Sequence, residues 1–203
     1  PTTMLRQIIP AALLLCIAAC TPPPHQRPAF TDEAEEAGVQ VIVETPAGSV
    51  RAGWYNPGRQ QIEQDTQQVA FLPFPGNLGF VPSTHMPHQE EAFAPVRVMV
   101  LGERMEAGDD LSVLPFAAVV LRVNNKPSIL VLAIPADPAL CNLNIRDLSD
   151  LLVRYPGVKE GLEAWLRQWN GGAPAEVLDW KDGAYALRFI RASLPKTEGG
   201  KNN

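Results

Sequence analysis

Val39, Val41 and Val43 alternate with Gln40, Ile42 and Glu44, and Pro46-Ala47-Gly48 then breaks the run, which predicts a strand followed by a turn. Apolar stretches at Val50–Tyr55, Val96–Leu101, Val113–Val123, Ile129–Ile134 and Ala184–Ile190, parted by Pro, Gly and Asn, predict further short strands. Helical spacing comes late. Leu148, Leu151 and Leu152, then Val158, Leu162, Trp165, Leu166 and Trp169, recur three or four positions apart, with Asp147 or Ser149 placed to cap the first turn. Trp165 and Trp169 stand one turn apart and are expected to face a core. The pattern predicts a mainly β body with helices packed on it, an α+β fold of the small-barrel kind.

Before Val39 the pattern differs. Arg6 precedes Ile8–Ala19, an apolar run interrupted by Pro10 and too short to span a bilayer comfortably, which reads as an export signal. Ile17-Ala18-Ala19-Cys20, followed by Thr21 and Pro22-Pro23-Pro24, resembles a bacterial lipoprotein lipobox and predicts a lipid on Cys20. An ordinary signal peptide cut at a small-residue site, or a buried apolar N-terminal helix, are the alternatives. The expected organisation is a signal over 1–19, a Pro-rich and acidic tether over 20–38, a domain over 39–196 and a frayed polar tail over 197–203. The expected location is the bacterial envelope, anchored to a membrane and facing the periplasm. Thr21, in place of the aspartate associated with inner-membrane retention, points to the outer membrane.

Composition narrows the class. The 203 residues are 46% hydrophobic and 19% charged with 20 Pro and 15 Gly, which excludes a disordered or collagen-like chain and fits one domain with a short appendage. Three Cys exclude a disulfide scaffold; once Cys16 leaves with the signal and Cys20 is modified, Cys141 stands alone as a small buried hydrophobe. The 17 Lys and Arg against 22 Asp and Glu include no long basic run, so no nucleic-acid partner is expected.

Leu72-Pro73-Phe74-Pro75-Gly76-Asn77-Leu78-Gly79-Phe80-Val81-Pro82-Ser83-Thr84 resembles the Tyr-Pro-x-Asn-Tyr-Gly-(Phe/Tyr)-(Val/Ile)-Pro-x-Thr stretch of the soluble (family I) inorganic pyrophosphatases. Other landmarks recur in the same order: Val41–Pro46 for the first strand, Pro95–Val100, Leu130–Pro138, and Ile145–Leu151 at a helix start. The resemblance runs from about Val39 to Trp169 and implies an OB-like barrel with C-terminal helices. It also places Glu44 at a functional glutamate, Arg51 where a phosphate-binding lysine sits, Asp65 at the aspartate of an Asp-Arg pair, and Asn77 within the substrate-binding stretch. Glu44 and Arg51 are the catalytic candidates, and Arg51, Arg97 and Asn77 the substrate-binding ones.

The metal ligands of the resembled family are missing. Its Asp-x-Asp-Pro-x-Asp corresponds to Ala92-Phe93-Ala94-Pro95-Val96-Arg97, so two positions offer no side-chain oxygen and the third carries a permanent cation. Its acidic loop corresponds to Arg122-Val123-Asn124-Asn125-Lys126-Pro127-Ser128, which holds no carboxylate. Leu78 replaces a tyrosine, Gly53 a glutamate, Thr66 an arginine, and Trp169-Asn170 a Tyr-Lys pair. Hydrolysis of pyrophosphate needs hard cations held by clustered carboxylates, so no metal site and no cofactor are expected. His85 and His88 beside Glu90 and Glu91 read as a solvated loop, and Asp109-Asp110 as a turn.

Two readings follow. In one, the chain is an envelope lipoprotein of pyrophosphatase fold that has lost most or all hydrolysis and serves as a binding or structural module, with Arg51 and Arg97 lining a metal-free site for phosphate or pyrophosphate, unless Arg97 simply pairs with Glu44. In the other it remains a Mg²⁺-dependent diphosphatase with an altered site. Export favours the first, because pyrophosphate from biosynthesis is made inside the cell.

Overall fold

The computed structural model describes residues 23–26, 29, 38–66, 71–86, 94–169 and 175–195. The expected signal over 1–19, Cys20, most of the expected tether and the expected tail over 197–203 lie outside them. Among the described residues eight strands and three α-helices follow in the order β1 (Val39–Thr45), β2 (Gly53–Asn56), β3 (Gln61–Gln64), β4 (Asn77–Phe80), β5 (Arg97–Val100), β6 (Asp110–Val123), β7 (Lys126–Pro135), α1 (Leu148–Arg154), α2 (Pro156–Trp169), β8 (Ala175–Asp182) and α3 (Gly183–Ala192). Among the described residues no helix is long and apolar enough to cross a membrane.

The large sheet runs β1-β4-β5-β7-β6-β8, and β1 also pairs with β6, so five strands close into a barrel and β8 extends it. β6 makes this possible by its length. Its first residues pair with β1 and its last seven with β8, and a bulge between Pro115 and Ala117 bends it between the two tasks. β2 and β3 form a separate hairpin.

Both faces of the barrel strands are covered, which is why β5 and β7 read as continuous apolar runs. Val98, Val100, Val131 and Ala133 bury in one core with Val39, Val41, Leu111 and Val113 and with Ala186 and Ile190 of α3. Met99, Leu130 and Leu132 bury in the other, with Leu151, Leu162, Trp165 and Leu166 of α1 and α2. Arg97 alternates with Val98 and so belongs to the second face, across from Phe80 on β4 and Leu130 on β7.

The expected helices form as read. Asp147 caps α1 by accepting from the Asp150 N–H at 2.9 Å. α2 opens on Pro156 and buries Leu162, Trp165 and Leu166; the Trp169 side chain lies outside the described set.

One expected strand needs correction. Ala184–Ile190 is not a strand but most of α3, because Asp182 accepts from the Tyr185 N–H at 2.7 Å and caps a helix whose Ala186 and Ile190, one turn apart, are both fully buried. The last strand is instead β8, whose Glu176, Asp179 and Lys181 hid it from a hydrophobicity reading; it is an edge strand with one side wet. Ahead of β1, Ala29 is buried and its carbonyl accepts from the Gln40 N–H at 2.9 Å, and the single turn Pro24–Gln26 packs on Tyr55 and Ser83.

Candidate functional site

Glu44 occupies a bulge. β1 pairs with β4 in regular register through Val43 opposite Gly79, then slips so that Thr45 meets Leu78, leaving Glu44 as the extra residue. A bulged residue has its side chain re-aimed, and here the carboxylate is buried, only 1% exposed. Oε1 accepts from the Tyr55 N–H at 2.6 Å, and Oε2 accepts from Nη1 of Arg97 in an ion pair with the arginine side chain about a third exposed. Burial raises the Glu44 carboxyl above the usual carboxylate range, and the Arg97 charge and the Tyr55 N–H pull against that rise.

Gly53 explains how β2 comes so close. A Cβ there would sit 2.2 Å from the Glu44 carbonyl oxygen, so this approach admits only glycine. The Thr45 hydroxyl then links the strands: it accepts from the Gly53 N–H at 2.8 Å and lies 3.3 Å from the Gly53 carbonyl. Two residues on, the Tyr55 N–H reaches Glu44. The glutamate that the resembled family carries at the position of Gly53 has no room in such an arrangement.

The other expected residues are placed as follows. Arg51 is exposed and its Nη1 donates to the carbonyls of Asp65 at 3.2 Å and Thr66 at 3.0 Å, bracing the end of the β2–β3 hairpin. Asp65 is half-buried, and its N–H donates to the Ala52 carbonyl at 2.8 Å. Asn77 is fully buried; its Oδ1 accepts from the N–H groups of Ala47 at 3.0 Å and Met105 at 2.9 Å, while Nδ2 donates to the Glu103 carbonyl at 2.7 Å. It ties two loops to β4. Leu78 joins the apolar core beside Phe74, whose ring meets Trp165 edge-on at 5.1 Å. The structure thus brings Glu44 and Arg97 into contact and gives Arg51 and Asn77 backbone partners of their own.

A divalent cation does not fit this donor set. Both Glu44 oxygens are engaged, Arg97 puts a permanent positive charge beside the carboxylate, and Ala94 offers no side-chain oxygen, its carbonyl accepting from the Met86 N–H at 2.7 Å. The loop between β6 and β7, which holds no carboxylate, is a tight turn in which Asn124 and Asn125 both take positive φ, 49° and 61°, with Arg122 paired to Glu176 at 2.6 Å. Among the described residues no three His, Cys, Asp or Glu side chains gather as a metal would require. Ala92, His88, Glu90, Glu91 and Asn170 lie outside the described residues, while the His85 N–H donates to the Ser193 carbonyl at 2.7 Å.

Cys141 is half-buried rather than buried, with Sγ 3.3 Å from the Pro135 carbonyl, and burial together with Asp137 pushes its thiol up. Such a thiol is a poor nucleophile. The features the sequence did not disclose are the Tyr55 N–H and the Thr45 hydroxyl, since a backbone donor leaves no mark in the residue pattern and a threonine in a strand is unexceptional.

The family model for inorganic pyrophosphatase matches residues 41–198. Inorganic pyrophosphatase of Sulfolobus acidocaldarius is 23% identical over 167 residues, covering 80% of this chain and 93% of that protein. That of Saccharolobus solfataricus is 28% identical over 119 residues, 56% of this chain and 67% of the relative. The inorganic pyrophosphatase of Thermus thermophilus superimposes with a TM-score of 0.74 at 24% identity, over 88% of this chain and all of that one, a likeness of fold.

Proposed function

This chain belongs to the inorganic pyrophosphatase family, and we propose that it is a member in which a built-in guanidinium has taken the place of the metal and hydrolysis is lost or strongly reduced. The observation that carries this reading is the Arg97 side chain seated on the buried Glu44 carboxylate. A cation tethered to the chain neutralises the glutamate as a metal would. It brings no water to be acidified and no open coordination position for a phosphoryl oxygen. The chain then serves as a binding or structural module, lipid-anchored through Cys20 in the bacterial envelope.

The ligand class this residue set suits is phosphate or pyrophosphate without metal. Arg51 keeps guanidinium N–H groups beyond the Nη1 that braces Asp65 and Thr66, and an anion at Arg97 has to compete with Glu44. Isothermal titration of pyrophosphate in EDTA, with Arg51→Ala as control, tests the binding.

Phosphate release from pyrophosphate across Mg²⁺ and Mn²⁺ concentrations, beside Arg97→Asp, tests the lost hydrolysis. The expected result is no release from the natural protein. Metal-dependent turnover abolished by Glu44→Ala overturns the reading in favour of an active diphosphatase with an altered site.

A further inference from the structure

Among the described residues between the lipid site and the barrel, His25 and Ala29 are docked on the domain. His25 lies with its ring centroid 5.8 Å from that of Tyr55 and its Nδ1 3.2 Å from the Tyr55 hydroxyl, and its carbonyl accepts from the Ser83 N–H at 2.9 Å. Ala29, four residues on, is buried and bonded to Gln40. Tyr55 is itself fixed, with its ring 5.5 Å from that of Phe80 and its N–H on Glu44.

This changes the reach of an anchor. A free tether from Cys20 to Val39 would let the barrel stand about 60 Å from the bilayer, at roughly 3.3 Å per residue. With His25 held on Tyr55 and Ser83, only five residue steps separate Cys20 from a docked residue, about 17 Å at full extension. We infer that a lipid on Cys20 holds the domain flush against the bilayer, with the face around Pro24 turned to the headgroups. This rests on the lipoprotein reading above.

The chemistry of that face agrees. Pro24 shares a hollow of about 420 Å³ with Gln60, Gln61 and Gln64 of the β2–β3 hairpin and with the Ala107–Gly108 turn, and among the described residues no charged side chain lines it. Neutral amides can exchange water for phosphate and ester oxygens of lipid headgroups at far lower cost than a desolvated charge. The far end of the molecule gives an internal control. β6 begins beside this face, where Asp110 pairs with Ile42, and runs 14 residues to the turn before Lys126, so the two ends are about 40 Å apart along the strand.

The test uses the full-length protein extracted from membranes, in a Cys141→Ser background, with a fluorophore on Gln61→Cys or Lys126→Cys. It is reconstituted into phosphatidylethanolamine–phosphatidylglycerol vesicles containing a headgroup spin-labelled lipid, and mass spectrometry establishes whether Cys20 carries lipid. Quenching at position 61 at least threefold stronger than at 126 is expected, falling to the level at 126 when a 20-residue Gly-Ser stretch is inserted between Thr21 and Pro22. Equal quenching at both positions in lipidated protein overturns the flush arrangement and leaves the lipoprotein reading standing. Quenching that survives the insertion also overturns it, since leash length would then not set the position. An unlipidated Cys20 overturns the lipoprotein reading and this inference together.

Discussion

Arg97 on β5 and Glu44 on β1 stand 53 positions apart in the chain and meet in space, guanidinium Nη1 on carboxylate Oε2, at a bulge that turns the glutamate inward. The carboxylate is almost wholly shielded while the arginine keeps about a third of its side chain in contact with water. The pair is therefore unequal: removing the arginine strands a buried charge, whereas removing the glutamate leaves an arginine that water can solvate.

Arg97→Ala is expected to lower unfolding free energy at pH 7 by about 3 kcal/mol, the magnitude typical of an orphaned buried charge. The loss shrinks at pH 5, where Glu44 can take a proton instead. Urea denaturation at the two pH values measures both, and a loss below about 0.5 kcal/mol, typical of an exposed pair, would show that the contact is not coupled to the fold.

Glu44→Gln tests the raised carboxyl. A folded-state value above that of the unfolded chain means that the folded protein binds the proton more tightly, so the neutral form stabilises most below the unfolded value of 4.5 and that stability is lost as pH rises through the folded value. The glutamine variant lacks this loss. Its stability relative to the natural protein should increase from pH 4 upward and then level off; a difference that stays flat over pH 4 to 8 contradicts the shift.

Gly53→Ala places a methyl carbon 2.2 Å from the Glu44 carbonyl, and the obstacle is backbone that cannot swing away. The hairpin must lift from β1, for a loss of about 2 kcal/mol. Amide exchange should report it at the Tyr55 N–H, whose protection depends on Glu44. Unchanged protection there would mean that β2 is not held by this approach.

Asn77→Ala removes the acceptor for Ala47 and Met105 and the donor to Glu103 in one step. Leaving buried backbone groups unpaired costs about 1 kcal/mol or more each, so a loss near 3 kcal/mol is expected. Pyrophosphate affinity measured without metal should be unchanged if the residue braces loops; a tenfold weaker affinity in a variant of normal stability would make it a ligand contact instead.

Much of the molecule was written in local pattern. The period-two run at β1, the long apolar stretches of β6 and β7, the Asp147 cap and the late helical spacing each depend on neighbours two to four positions away, and all took the expected form. The missing carboxylates at Ala94 and Arg97 and in the β6–β7 turn were equally plain, because the absence of a donor atom is a property of composition. Ala184–Ile190 failed as a strand because its apolar residues suit either period, and a cap two residues upstream together with burial against the barrel decided for helix. Only the tertiary structure could decide how Glu44 and Arg97 are disposed. The Arg97 contact depends on sheet register and on one extra residue at Glu44, the closeness of β2 on the missing Cβ of Gly53, and the docking of His25 on a tyrosine 30 positions away. Each joins segments whose separation in sequence carries no information about their distance until the barrel closes.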